Sequence, residues 1–184
     1  EDISVTTATW HDSDVVYSAS ISAYGSVPAT QWPCEGVSVN LNVLWLKEDQ
    51  LNKMHLTEGL GIAYDFVKLK LETVKIKDFE YKKDIYGYVS VPGILPFQDK
   101  FPKRLSSISG KNIKLNDLSE INALQYMKDT QGSKGINLNE WLNKIINEKE
   151  YRFSILQNLR SKAIKPQNPN WKIIQATTKG ELIV

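Results

Sequence analysis

Acid–base chemistry near neutral pH would fall to histidine, the side chain whose ordinary pKa lies in that range. The chain has two of them, His11 within His11-Asp12-Ser13-Asp14 and His55 just before Glu58. An imidazole beside carboxylates can act as a base with an orienting partner, or hold a divalent cation. Brought together, His11 and His55 would form a two-histidine site, one ring as base and the other as acid. Local geometry weighs against the first cluster, because an extended segment points Asp12 and Asp14 one way and His11 the other. Asp and Ser between Trp10 and Val15 also suit an inter-strand turn through their short-range backbone hydrogen bonds. The expectation is therefore a turn at 11–14 and no catalytic residue, with a small two-histidine hydrolase or nuclease-type toxin as the alternative.

The other chemistry-bearing residues give less. Cys34 stands in Trp32-Pro33-Cys34-Glu35-Gly36 with no base in its sequence neighbourhood, and a thiol needs one to become a nucleophile. As the single cysteine it forms no internal disulfide, and with two histidines it cannot build a His/Cys zinc cage. Gly59-Leu60-Gly61 lacks the third glycine of a dinucleotide loop, and Gly132-Ser133-Lys134-Gly135 lacks the spacing of a phosphate-binding loop. No cofactor and no metal is expected.

Lys68, Lys70, Lys75 and Lys77 form the one candidate binding face. Lys68 and Lys70 project together from a strand, with Lys75 and Lys77 close behind. Lysines also guard strand edges against pairing with other chains, and Glu72 and Asp78 dilute their field. Tyr81, Tyr86 and Tyr88 could add amphipathic contact surface, although tyrosine is also a good sheet former.

Charge is distributed unevenly. No Lys or Arg precedes Lys47, whereas Glu1, Asp2, Asp12, Asp14 and Glu35 do. The formal net charge of +2 is too small to imply nucleic acid as a partner. No apolar run approaches the ~18 residues of a membrane span. The chain starts at Glu1 rather than Met, as a removed signal peptide or a chosen boundary would leave it, and a secreted or surface-exposed location is favoured on that ground.

The elements that must position these residues follow from periodicity. From Val15 to Tyr24 apolar residues alternate with serines, the pattern of a half-buried strand. Val37–Leu46 alternates in the same way. Val67–Thr73 alternates and then reverses phase at Val74, which predicts a bulge at Thr73–Val74 with Leu71 and Val74 both facing the interior. Ile85–Val91 and Trp171–Thr177 read as further strands. The core is expected to contain Tyr17, Ile21, Val39, Leu41, Val43, Leu69 and Leu71.

Two helices are expected later in the chain. The first follows Asp117, with Glu120 three residues on in the manner of a capping box. The second follows Asn137 as N-cap, and its exposed stripe of Glu140, Lys144, Glu148 and Arg152 runs at four-residue spacing.

Strands grouped first and helices later predict an α+β fold: a mostly antiparallel, sandwich-like sheet in the N-terminal half and two helices in the C-terminal half. The 184 residues suit a single domain, β-rich over 1–104 and helix-containing over 105–184. Within it, Ile85-Tyr86-Gly87-Tyr88-Val89-Ser90-Val91 resembles strands found in many β-sandwich modules, including some attached to bacterial surface proteins and pore-forming toxins. The expected function is a non-catalytic binding or assembly module, a surface, secreted or virion component presenting a sheet face or loops. Its partner is expected to be a protein or other macromolecule rather than a small molecule.

Overall fold

The computed structural model describes residues 3–78, 80–96 and 119–174. It is an α+β fold with two three-stranded antiparallel sheets and, among the described residues, four α-helices. These residues fall into two compact units. One is drawn from Glu1–Asp14, Gln31–Val91 and Pro166–Val184, the other from Val15–Thr30 and Pro92–Lys165.

The first unit holds both sheets. Strands β1 (Ser4–Tyr17), β2 (Ala29–Trp45) and β4 (Val74–Ile76) make one, in the order β2-β1-β4. Strands β3 (Tyr64–Leu69), β5 (Tyr86–Ser90) and β6 (Trp171–Ile173) make the other, in the order β5-β3-β6. Trp10 lies opposite Val74 in the first sheet, while Phe66 faces Tyr88 and Leu69 faces Trp171 in the second. A helix, α1 (Glu48–Thr57), joins β2 to β3.

Several sequence expectations change here. Residues 11–14 are not a turn but the interior of β1, which is bent there. Asp12 takes a left-handed conformation, φ 52°, and its carboxylate accepts a 2.8 Å hydrogen bond from the Gly36 N–H of β2. Asp tolerates that conformation because its short polar side chain bonds locally. The backbone oxygen of Asp12 accepts in turn from Asn170 Nδ2 at 2.7 Å. Nor does Thr73–Val74 form a bulge. A single 3₁₀ turn, Leu71–Thr73, ends β3 and passes the chain to β4 in the other sheet, so the phase reversal marks a change of sheet. Leu71 and Val74 are both half-buried.

Residues 48–57 are a helix that the sequence reading did not assign. The carbonyl of the Gln50 side chain accepts from the Lys47 N–H at 2.9 Å, half of a capping box, and Glu48 and Asp49 complement the helix dipole. Only His55 is fully buried on this helix, so its apolar periodicity is faint.

The second unit contains α2 (Glu120–Thr130), α3 (Leu138–Asn147) and α4 (Lys149–Lys162). Their core gathers Met127, Trp141, Ile145 and Leu159 around Tyr17, Ala19 and Ile21. The strand expected to reach Tyr24 stops at Tyr17. Ala19 and Ile21 stay buried in irregular chain, tied by the Ala19 N–H to the Gly93 carbonyl at 2.8 Å. Asp117 lies outside the described residues; Ser119 caps α2, its hydroxyl accepting from the Asn122 N–H. Asn137 caps α3 as expected, accepting from the Glu140 N–H at 2.9 Å.

The exposed four-residue stripe is broken, because the backbone leaves helical geometry at Glu148 (φ −111°, ψ 98°) and α4 starts afresh. Arg152 turns back to donate to the Ile145 and Ile146 carbonyls at 2.7 and 3.1 Å, satisfying oxygens left open at the end of α3.

Candidate functional site

The first unit encloses a cavity of about 490 Å³. Every strand of that unit except β6 contributes to its wall. Trp10 comes from β1, Leu41, Val43 and Trp45 from β2, Phe66 from β3, and Tyr86 and Tyr88 from β5. Leu51 and Met54 of α1 add apolar surface from one side. Leu41 and Val43, expected in the core, are only half-buried because they border this space. Leu44 and Tyr86 also line it and are exposed, so the cavity opens to solvent on their side.

The wall is ordered by ring contacts. Phe66 and Tyr86 stack with centroids 5.1 Å apart at 11°, and Trp45 meets Tyr81 edge-on at 5.1 Å. Such geometries add about 0.5–1.5 kcal/mol per pair beyond the area they bury. Strand pairing explains the first arrangement: β5 runs antiparallel to β3 with Phe66 opposite Tyr88 and Lys68 opposite Tyr86, which brings the rings of both strands to one place.

His55 stands behind this wall. It is 5% exposed, its Nδ1 lies 2.7 Å from the Tyr88 hydroxyl, and its ring meets Phe66 edge-on at 4.7 Å. Burial holds the imidazole below its ordinary pKa. The Tyr88 hydroxyl is pushed up to about 12 by burial, with the nearby Glu58 charge adding to it. Burial also raises the Glu58 carboxyl, and burial together with Glu58 raises Tyr64. Near neutral pH both His55 and Tyr88 are thus uncharged. Their hydrogen bond fixes the orientation of a cavity-lining ring.

A pH dependence follows. Because the folded-state pKa of His55 lies below that of the unfolded chain, the unfolded chain takes up the proton first on acidification. The contribution is fully present above about pH 6.5, declines below it, and levels off once the folded-state value is passed. The slope contributed by this one proton is at most about 1.4 kcal/mol per pH unit. Denaturant melts between pH 7.5 and 5 are expected to show the loss, and His55→Gln to flatten that part of the curve. An unchanged slope in the variant would reject a buried neutral imidazole.

The remaining candidates are dispersed. His11 is exposed on β1 with Nδ1 2.9 Å from the Ser38 hydroxyl, and no hydrogen bond or ring contact joins it to His55. Cys34 is half-buried on β2. The four lysines are divided: Lys68 is on β3 and Lys70 just beyond it, whereas Lys75 is on β4 of the other sheet and Lys77 follows it. The Lys68 ammonium lies 2.8 Å from the Asp84 carboxylate, and that bond raises its pKa. Among the described residues, Asp84 is the one charged side chain on the cavity wall.

Tyr86 and Tyr88 were visible in the sequence as amphipathic surface. Leu51, Met54 and Gln31 gave no functional signal, since only the folded chain assembles them around one space. Among the described residues no three His, Cys, Asp or Glu side chains converge as a metal site, and no helix is long and apolar enough to cross a membrane. No family model, curated protein or solved structure matches the chain.

Proposed function

We propose that the chain is a non-catalytic binding module whose first unit takes a small, apolar, ring-bearing molecule into its cavity. One observation carries the reading: an aromatic-walled space of about 490 Å³ whose single charge among the described lining residues, Asp84, is already paired with Lys68. Sites for small molecules are typically apolar clefts of ~300–1,000 Å³ with few polar groups, whereas ordinary interiors leave few voids larger than a water molecule. This reading keeps the expected binding class and moves the partner from a macromolecule to a small molecule. The lysines support a macromolecular face less well, because they belong to two different sheets and Lys68 is engaged.

The test uses N-phenyl-1-naphthylamine, a neutral dye whose emission rises in apolar surroundings. Its emission is expected to saturate at about one dye per chain, as one cavity requires. Leu41→Trp and Val43→Trp, each adding a ring to the wall, should weaken dye binding roughly tenfold or more, about 1.4 kcal/mol. Retained far-UV spectra would show that the variants fold. No saturable binding, or affinity unchanged in both folded variants, refutes the proposal.

A further inference from the structure

The open end of the cavity differs from its interior. Stacking against Phe66 occupies one face of the Tyr86 ring, yet Tyr86 stays exposed where it lines that end. Tyr81 lies close enough to act on Tyr86 electrostatically and meets Trp45 edge-on, and both line the same space half-buried. Asp84 joins these rings, its side chain 42% exposed and its Oδ2 3.4 Å from the Tyr86 hydroxyl. Three accessible rings and a carboxylate thus share one stretch of wall. Among the described residues no Lys, Arg or His lines the cavity. Lys68 reaches Asp84 without being part of the wall, and it contacts the same Oδ2 that faces Tyr86. Oδ1 accepts from no donor among the described residues. With both side chains about two-fifths exposed, this ion pair is of the weakly held kind, so Lys68 shares the carboxylate without closing it to a second cation.

We propose that the cavity takes ring-bearing amines, with the apolar ring inside the wall and the protonated amine at the open end beside Asp84. The inference rests on the small-molecule reading above and deepens it by naming the ligand class. The faces of aromatic rings are electron-rich and attract a cation, so Trp45, Tyr81 and Tyr86 act in the same sense as the Asp84 charge. An anionic analogue meets the reverse of both effects. Placing the charge at the open end also spares it the cost of full desolvation, while the ring body still leaves water.

Competition against N-phenyl-1-naphthylamine at pH 7 tests this with three probes built on one naphthalene ring: 2-(aminomethyl)naphthalene, 2-ethylnaphthalene and 2-naphthylacetate. The first is a cation, the second its neutral counterpart of nearly the same shape, and the third an anion. The amine is expected to compete roughly tenfold better than the acetate. Asp84→Asn should weaken the amine roughly tenfold and leave 2-ethylnaphthalene unchanged. Lys68→Gln removes the rival ammonium and should strengthen the amine about threefold, which reads the same contact with opposite sign if the asparagine variant does not fold. An acetate that competes as well as the amine overturns the ammonium site while leaving a small-molecule cavity. An amine affinity that stays unchanged in the folded variants overturns it as well. Failure of the dye itself to bind overturns the reading beneath and the inference with it.

Discussion

Gly93→Ala is expected to destabilise the second unit by roughly 2–5 kcal/mol, an effect far above that of an ordinary surface substitution. Gly93 has φ +83°, the left-handed region that costs other L-residues about 1–2 kcal/mol. Sterics add to this. A Cβ at this position would lie 2.2 Å from the Ile164 carbonyl oxygen and 3.0 Å from its carbonyl carbon. Those are backbone atoms, so no side-chain rotation relieves the clash.

The strands of chain on either side are held as a pair, with the Ile94 N–H donating to the Ile164 carbonyl at 3.0 Å and the Ile164 N–H to the Ile94 carbonyl at 2.8 Å. Moving Ile164 breaks that pair, and moving Gly93 breaks its bond from the Ala19 N–H. Amide exchange at Ala19, Ile94 and Ile164 should accelerate together in the variant, beside a lowered melting temperature. Wild-type exchange at all three would show that the backbone shifts without cost and would reject the argument.

What the sequence discloses follows how local the determining forces are. The β2 alternation over Val37–Trp45 was readable because one face meets the interior along its length, and α3 because Asn137 and Glu140 mark its start by themselves. The 3₁₀ turn at Leu71–Thr73 left only its trace, a phase reversal whose meaning depends on which sheet the next strand joins. Helix α1 was hidden because its inward side is one histidine with Leu51 and Met54, too few apolar residues to set a period. The break at Glu148 was hidden for the opposite reason. Arg152 fits an exposed i, i+4 series, although its guanidinium in fact closes the preceding helix.

The candidate site was the least readable part. Each tyrosine of β5 is an ordinary strand residue until β3 lies beside it.

Trp10, 1% exposed, binds several parts of this assembly. From β1 it lines the cavity, meets Trp171 of β6 edge-on at 6.0 Å, and donates from Nε1 to Thr73 in the turn between β3 and β4. One side chain thus touches both sheets of the first unit and the crossover between them. Trp10→Ala removes all three contacts and enlarges the adjoining space, so a cost of about 3–5 kcal/mol is expected. Trp10→Phe keeps a ring against Trp171 and loses the bond to Thr73, whose hydroxyl retains its own bond to the Lys70 carbonyl at 2.7 Å. The missing hydrogen bond alone should cost about 1 kcal/mol. Exchange of the β4 and β6 amides reads the difference without relying on tryptophan emission, which the substitutions alter directly. The alanine variant should speed it roughly a hundredfold or more where exchange follows unfolding of the unit, and the phenylalanine variant by well under that. Equal effects from the two would mean that the hydrogen bond, not the packed indole, joins the sheets. No effect from alanine would show that Trp10 does not hold them together at all.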